Sequence, residues 1–313
     1  MISRRNIRIK VLQTLYSIQT LEELNPKISP EKILKKELEQ TRELFVYLIY
    51  FLTEVLRYPE HDARIRSHKN LPSHSDLNVN LKMTGNLLLW KIVENTSFEH
   101  AVAELKPQLK ANTQDQIKRV FLKLSESPEY QLYINEGSRD SKKEKELVKL
   151  IFSDYMLPDE IFISHIEEHF SNWDDDADMM VQLMSQYIQK QTSLKFQEMV
   201  AEDKWLFAKQ LLATVQEKKE LVLAMISPKL KNWDADRIAV LDMLIMRMGV
   251  CEFLFFETIP VKVTINEYID IAKEYSTVQS GQFVNGILDN INKELETQGN
   301  LIKHLSKQKK SNK

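Results

Sequence analysis

Three observations on this 313-residue chain predict an all-α fold. Glycine is scarce, with 6 residues where average usage would supply roughly 22, so tight turns and hairpins are few. Apolar residues recur at three- and four-residue spacings through most of the chain, the period of an amphipathic helix. A single short stretch, "YQLYIN" at 130–135, is a fair strand candidate, and no internal repeat is visible.

The first helix is the most informative. "SRRNIRIKVLQTLYS" (3–17) holds Arg4, Arg5, Arg8 and Lys10 and no acid. At about 100° per residue, Ile7, Val11, Leu15 and Ile18 fall on the side of Arg4, and Leu12 and Tyr16 widen that arc. Arg8 lies inside the apolar arc and Arg5 at its margin, while Lys10, Gln13, Thr14 and Ser17 face the other way. A helix does not bury three guanidinium groups without partners. Two geometries satisfy that rule. In one, the helix docks from Val11 onwards and its first turns project past the core, offering arginines to a polyanion. In the other, Arg8 snorkels or pairs with an acid at the core edge.

The remaining elements follow in order. Residues 31–57 space Ile33, Leu34, Leu38, Leu44, Leu48 and Leu52 as a helix between Pro30 and Pro59. Residues 61–76 are polar and aperiodic, so a loop is expected. Helices follow near 77–95, 97–109, 113–125, 141–153 and 159–171, and a long broken one over 175–227 that ends at Pro228. Helices near 234–256, 261–275 and 279–297 close the fold. "IPVKVTINEYIDIAKEY" (259–275) alternates like a strand, but Pro260 as a first helical residue and the helix formers after Asn266 favour a helix.

Composition narrows the function. The apolar run Leu44–Leu52 is too short for a membrane span, which needs about 20 residues. Lys10 and Gln13 interrupt any secretory apolar core. The acid-free amphipathic start also fits a mitochondrial transit peptide, an idea that weakens if residues 3–18 belong to the fold. A lone Cys251 makes no internal disulfide and suits a reducing, cytoplasmic setting. Net charge is −2, yet residues 1–10 and 303–313 together carry nine basic residues and no acid. Basic ends on an acidic body suit a polyanion, although a lysine-rich tail is often only solubilising.

Sites of chemistry are sparse. "HIEEH" (165–169) matches the H-x-x-E-H zinc-peptidase pattern, but it is short and shows no third ligand, so no catalytic zinc is expected. Asp174, Asp175, Asp176 and Asp178 lack the Gly and Glu of a calcium loop and read as a helix start. No P-loop, dinucleotide fingerprint or CxxC pair is present, so no cofactor is expected.

Four motifs carry a family resemblance. "RRNIRIKVLQTLYS", with Gln13, Leu15 and Tyr16, resembles the opening helix of NusB-type transcription antitermination factors. "WDADRIAVLDMLIMRMGVCEFL" (233–254) is similar to the family's helix through Arg237, Asp242, Ile245, Arg247 and Glu252. "IPVKVTINEYIDIAKEYS" and "SGQFVNGILDNI" (280–291) resemble the two that follow. The resemblance implies an all-α fold of two helical subdomains. It divides the chain into a basic opening helix at 1–20, a helical insertion or enlarged amino-terminal subdomain at 21–190, a carboxy-terminal subdomain at 191–297 and a basic tail at 298–313.

The resemblance also implies a function without catalysis: binding of single-stranded, boxA-like RNA in nascent ribosomal transcripts. The expected partners are the ribosomal protein NusE and the RNA polymerase antitermination complex. On this reading Arg4, Arg5, Arg8, Lys10, Tyr16, Gln279, Gln282 and Phe283 contact RNA, the arginines by phosphate contact or base stacking. Tyr16 reads equally as a core tyrosine with its hydroxyl at the rim. Ser280 is expected to cap the last helix. Asp242, Arg247 and Glu252 are candidates for the NusE-facing surface, with a salt bridge to a neighbouring helix equally open for Arg247 and Glu252. Gly286 is assigned to close helix packing, Asn285 to a bond with neighbouring backbone, and Asn266 to a buried hydrogen bond.

Departures from the family pattern matter. "STVQSGQF" has Val278, Gln279 and Gln282 where acids and a Lys are usual, and Asn6 breaks the arginine run. These favour an alternative, a helical protein-interaction scaffold that has lost RNA binding. NusB-like domains also precede ribosomal-RNA methyltransferases, but the residues after 297 are too few for a cofactor-binding domain, so an enzyme is not expected.

Overall fold

The computed structural model describes residues 2–21, 29–190, 194–230 and 238–298. It is helical throughout, with no strand among the described residues. Arg237 and the basic tail from 303 onwards lie outside them. The chain forms two compact units, 38–199 and 2–37 with 200 onwards. The boundary thus falls inside a helix, at 38.

The first unit is built around α2 (Pro30–Ser67), of which residues 38–67 belong here. Residues 44–53 are buried on every side, as expected of a helix that is apolar all round. Phe51 packs on Phe162 at 4.6 Å between ring centroids and Tyr58 on Phe121 at 4.9 Å. α2 runs through Pro59, whose missing N–H removes one ladder bond, and on through residues 61–67, the start of the expected loop. The Asp62–Arg66 ion pair (2.7 Å) and the tilted contact of His61 with Tyr58 support that extension.

Shorter helices surround it: α3 (His74–Leu77), α4 (Leu87–Val93), α5 (Thr96–Leu105), α6 (Thr113–Ser125), α7 (Pro128–Asn135), α8 (Ser141–Leu150), α9 (Glu160–His169) and α10 (Trp173–Lys190). Most start on a side-chain cap: Ser73, Asn86, Asn95, Ser127, Asp140 and Asp159 each accept backbone N–H bonds. The strand candidate at 130–135 is helical, as part of α7. The Ser127 cap and Pro128 at the first helical position start a helix there. α8 passes into a π-helical turn, Ile151–Met156.

The second unit joins α1 (Arg4–Leu21) and residues 30–37 of α2 to α11 (Glu202–Glu217), α12 (Lys219–Ile226), α13 (Val240–Phe255), α14 (Val261–Tyr275) and α15 (Val278–Thr297). α13 is its centre, buried continuously from Leu244 to Phe253. The segment readable as strand or helix is α14. Gly249 of α13 sets a close approach: a Cβ there would meet both terminal carbons of Leu288 at 3.0 Å and the Tyr268 ring at 3.4 Å. Gly286, expected to serve that role, is exposed with open space around it. Asn285 and Asn266 are exposed as well.

Candidate nucleic-acid interface

The start of α1 is packed among α11, α13 and α14, which decides the fate of its cations. Arg8 is 2% exposed and Glu252 is fully buried. Arg8 Nε donates to Glu252 Oε2 at 2.9 Å and Nη2 donates to Oε1 at 2.8 Å, a bidentate pair. Thr264 Oγ1 donates to Oε1 at 2.6 Å and Tyr268 OH to Oε2 at 3.2 Å, so one carboxylate receives four donors. Half-buried Glu267 stands 3.6 Å from Arg8 Nη1, and the guanidinium lies over the rings of Phe207 (5.5 Å) and Tyr268 (5.8 Å). Burial opposes the Arg8 charge, but the Glu252 bonds with the charges of Tyr268, Glu252 and Glu267 together outweigh it and hold its pKa above the ordinary value. Burial, and then the Glu252 charge, push the Tyr268 hydroxyl well above its own.

This geometry corrects several expectations. Arg8, expected at an RNA contact, is held in a buried ion pair with Glu252. Lys10, placed by periodicity on the solvent side, is 1% exposed. That side of α1 is covered near Thr14, which donates to Glu37 Oε2 at 2.7 Å from the first turns of α2. Asp242, Arg247 and Glu252 are all buried and form no docking surface. Asp242 Oδ2 accepts from Ser280 Oγ (2.9 Å), and Arg247 Nη2 donates to the Val215 carbonyl (3.0 Å). α15 is capped by Thr277 rather than Ser280. The two residues form a reciprocal capping box, with Ser280 N–H donating to Thr277 Oγ1 at 3.1 Å.

An exposed edge remains where α1, α14 and α15 begin or pass. Arg4 is exposed and lies 5.6 Å over the Phe207 ring. Arg5 is half-exposed and bound to Asp270 (3.3 Å) and Glu274 (2.9 Å) of α14. Burial opposes its charge, and Glu274 more than restores it, leaving the pKa raised. Gln279 and Gln282 are exposed and Phe283 half-buried on the first turns of α15. Tyr16 is 47% exposed, but it sits twelve residues along α1 from Arg4, about 18 Å at the helical rise.

Lys273 is the residue that sequence reasoning missed. It is exposed on α14. Its stem lies against Gly281, where a Cβ would meet Lys273 Cγ at 2.6 Å. The absence of a side chain at 281 leaves room for the Lys273 stem against the start of α15, and its ammonium stands 3.9 Å from Asp270. The paired signal, a Lys four residues before the helix cap and a Gly in the first turn, was present but not local to one motif.

Comparisons with known proteins bear on the same region. A model described as "NusB family" matches residues 168–293. Among curated relatives, the transcription antitermination protein NusB of Methylacidiphilum infernorum (isolate V4) is 46% identical over 85 residues. That match covers 27% of this chain and 59% of the relative. Its namesake in Bacillus licheniformis is 43% identical over 90 residues, covering 29% and 70%. The protein of that name in Fervidobacterium nodosum is 51% identical over 70 residues, covering 22% and 50%. No solved structure matches.

Proposed function

Because this chain belongs to the NusB family, we propose that it is a non-enzymatic transcription antitermination factor that binds boxA-like single-stranded RNA together with NusE in the polymerase antitermination complex. The observation that carries this reading is the family match over residues 168–293, with 43–51% identity over 70–90 residues to proteins named for antitermination. The relatives are matched over 50–70% of their own length, so RNA, NusE and polymerase as partners rest on this proposal.

The RNA edge is Arg4, Arg5, Lys273, Gln279, Gln282 and Phe283. Arg4 and Lys273 supply phosphate contacts. Arg5 exchanges exposed carboxylates for phosphate, and Phe283 and the glutamines face unpaired bases. A gel shift of the full chain with a boxA-like RNA, with and without NusE and across salt concentrations, tests it. Arg4→Ala with Lys273→Ala is expected to flatten the log–log salt slope by about 1.4, at about 0.7 per lost contact on a single strand. An unchanged slope in the folded variant removes this edge.

The second reading, a scaffold without RNA binding, is favoured by the carboxylates that neutralise Arg5 and Arg8. It predicts no shifted band under any of these conditions.

A further inference from the structure

We propose that the first unit carries a site for a divalent transition-metal ion of the Zn²⁺ class, formed by His165, Glu168 and His169 on the last turn of α9. The proposal is independent of the RNA reading. One ligand atom from each of the three residues lies within 4.8 Å of the others. The i, i+3, i+4 spacing places them on one helical face, and Glu168 provides the third donor that the sequence pattern left open.

Hydrogen bonds fix which nitrogen each imidazole can offer. Thr113 Oγ1 bonds the Lys110 carbonyl at 2.9 Å, where only the hydroxyl can donate. That uses the Thr113 proton, so in the 3.0 Å contact between Tyr47 OH and Thr113 Oγ1 the phenol donates. Its proton spent, the Tyr47 oxygen accepts in the 2.5 Å contact with His165 Nε2, which therefore carries the hydrogen. His169 Nε2 stands 3.2 Å from the Ala111 carbonyl and likewise must donate. Both rings are held with Nε2 protonated and the Nδ1 lone pair free. An outer carbonyl or hydroxyl that accepts the far N–H is the arrangement that orients histidine ligands around metals.

The surroundings suit a cation. His165 is buried, His169 half-buried and Glu168 exposed, so the cluster opens to solvent on one side. His169 ends α9, where the helix dipole favours positive charge. The neighbouring cation, Lys110, is already paired with Glu43 at 2.9 Å and lies over the Phe170 ring. Two imidazoles and one carboxylate form a borderline donor set that selects zinc-like ions over calcium or magnesium. Ligand atoms around a tetrahedral ion with bonds near 2.1 Å sit about 3.4 Å apart. The exposed Glu168 and half-buried His169 have the freedom to close on it.

Calorimetric titration of the tag-free full chain with Zn²⁺, and optical titration with Co²⁺, test the site. The wild type is expected to take up one equivalent and to show the visible bands of a low-coordinate Co²⁺. His169→Ala and Glu168→Gln lie at the surface and should each weaken binding at least about tenfold. Tyr47→Phe keeps the ring but removes the relay, and should weaken it about 10- to 100-fold. The site is overturned if the wild type shows no saturable uptake, or if His169→Ala binds as the wild type does. A Tyr47→Phe protein of unchanged affinity overturns the assignment of the free nitrogens.

Discussion

At the scale of single residues, the decisive feature is the carboxylate of Glu252. Its four donors come from α1 and α14, and it has no access to water. Removing one partner of a buried ion pair leaves the other charge uncompensated and costs about 3–5 kcal/mol. Glu252→Ala is therefore expected to lower unfolding stability by that order in urea titration. An Arg8→Met, Glu252→Leu double variant should lose less than the two single variants combined. Asp159 is a second such centre. It caps α9 and accepts from Arg119 (2.8 and 2.6 Å) and Lys123 (2.6 Å). Burial alone would raise its pKa, but these cations and the cap bonds hold it well below the carboxylate range. A depressed folded pKa stabilises the native state above the unfolded value of about 3.9, and that stability is lost as pH falls below it. Thermal melts should show the loss on acidification, and Asp159→Asn should flatten it.

At the scale of elements, two of the helical glycines, Gly249 and Gly286, predict opposite outcomes. Gly286 is exposed within α15 with free space around it, so Gly286→Ala should stabilise by about 0.5–1 kcal/mol through backbone entropy. Gly249→Ala forces a methyl against Leu288 and should destabilise by about 1–3 kcal/mol. Denaturant midpoints of the two variants check both signs. The comparison also shows what could be read before the fold was known. Helical periodicity located α1, α6 and α14 closely, because their apolar spacing is regular. The strand candidate at 130–135 is a helix because Ser127 caps it and Pro128 starts it. The helical projection puts Arg8 inside the apolar arc and leaves two geometries open, projection past the core or pairing with an acid. The structure has the pairing, with a partner 244 residues away, a contact no local pattern encodes. Glu252 and Arg247 were named, but their burial depends on helices covering α13 from several directions. Lys273 was overlooked because its position at the edge depends on a glycine in another helix.

At the scale of the whole molecule, the family match covers residues 168–293 and leaves most of the first unit outside it. The family model reaches back to residue 168 and so takes in α10, which belongs by its contacts to the first unit. That unit has its own central helix and its own aromatic core. A fragment covering 38–199 is expected to fold alone and to melt cooperatively in calorimetry or circular dichroism. A fragment from 200 onwards lacks Arg8 and should not. Residues 2–21 and 252 are also far apart in time. At about 5–20 residues per second, on the order of ten to fifty seconds pass on the ribosome between the emergence of Arg8 and that of its counter-charge. α1 thus waits, with its apolar face uncovered, for α13. A chaperone that holds nascent chains would find its substrate in α1 throughout that interval.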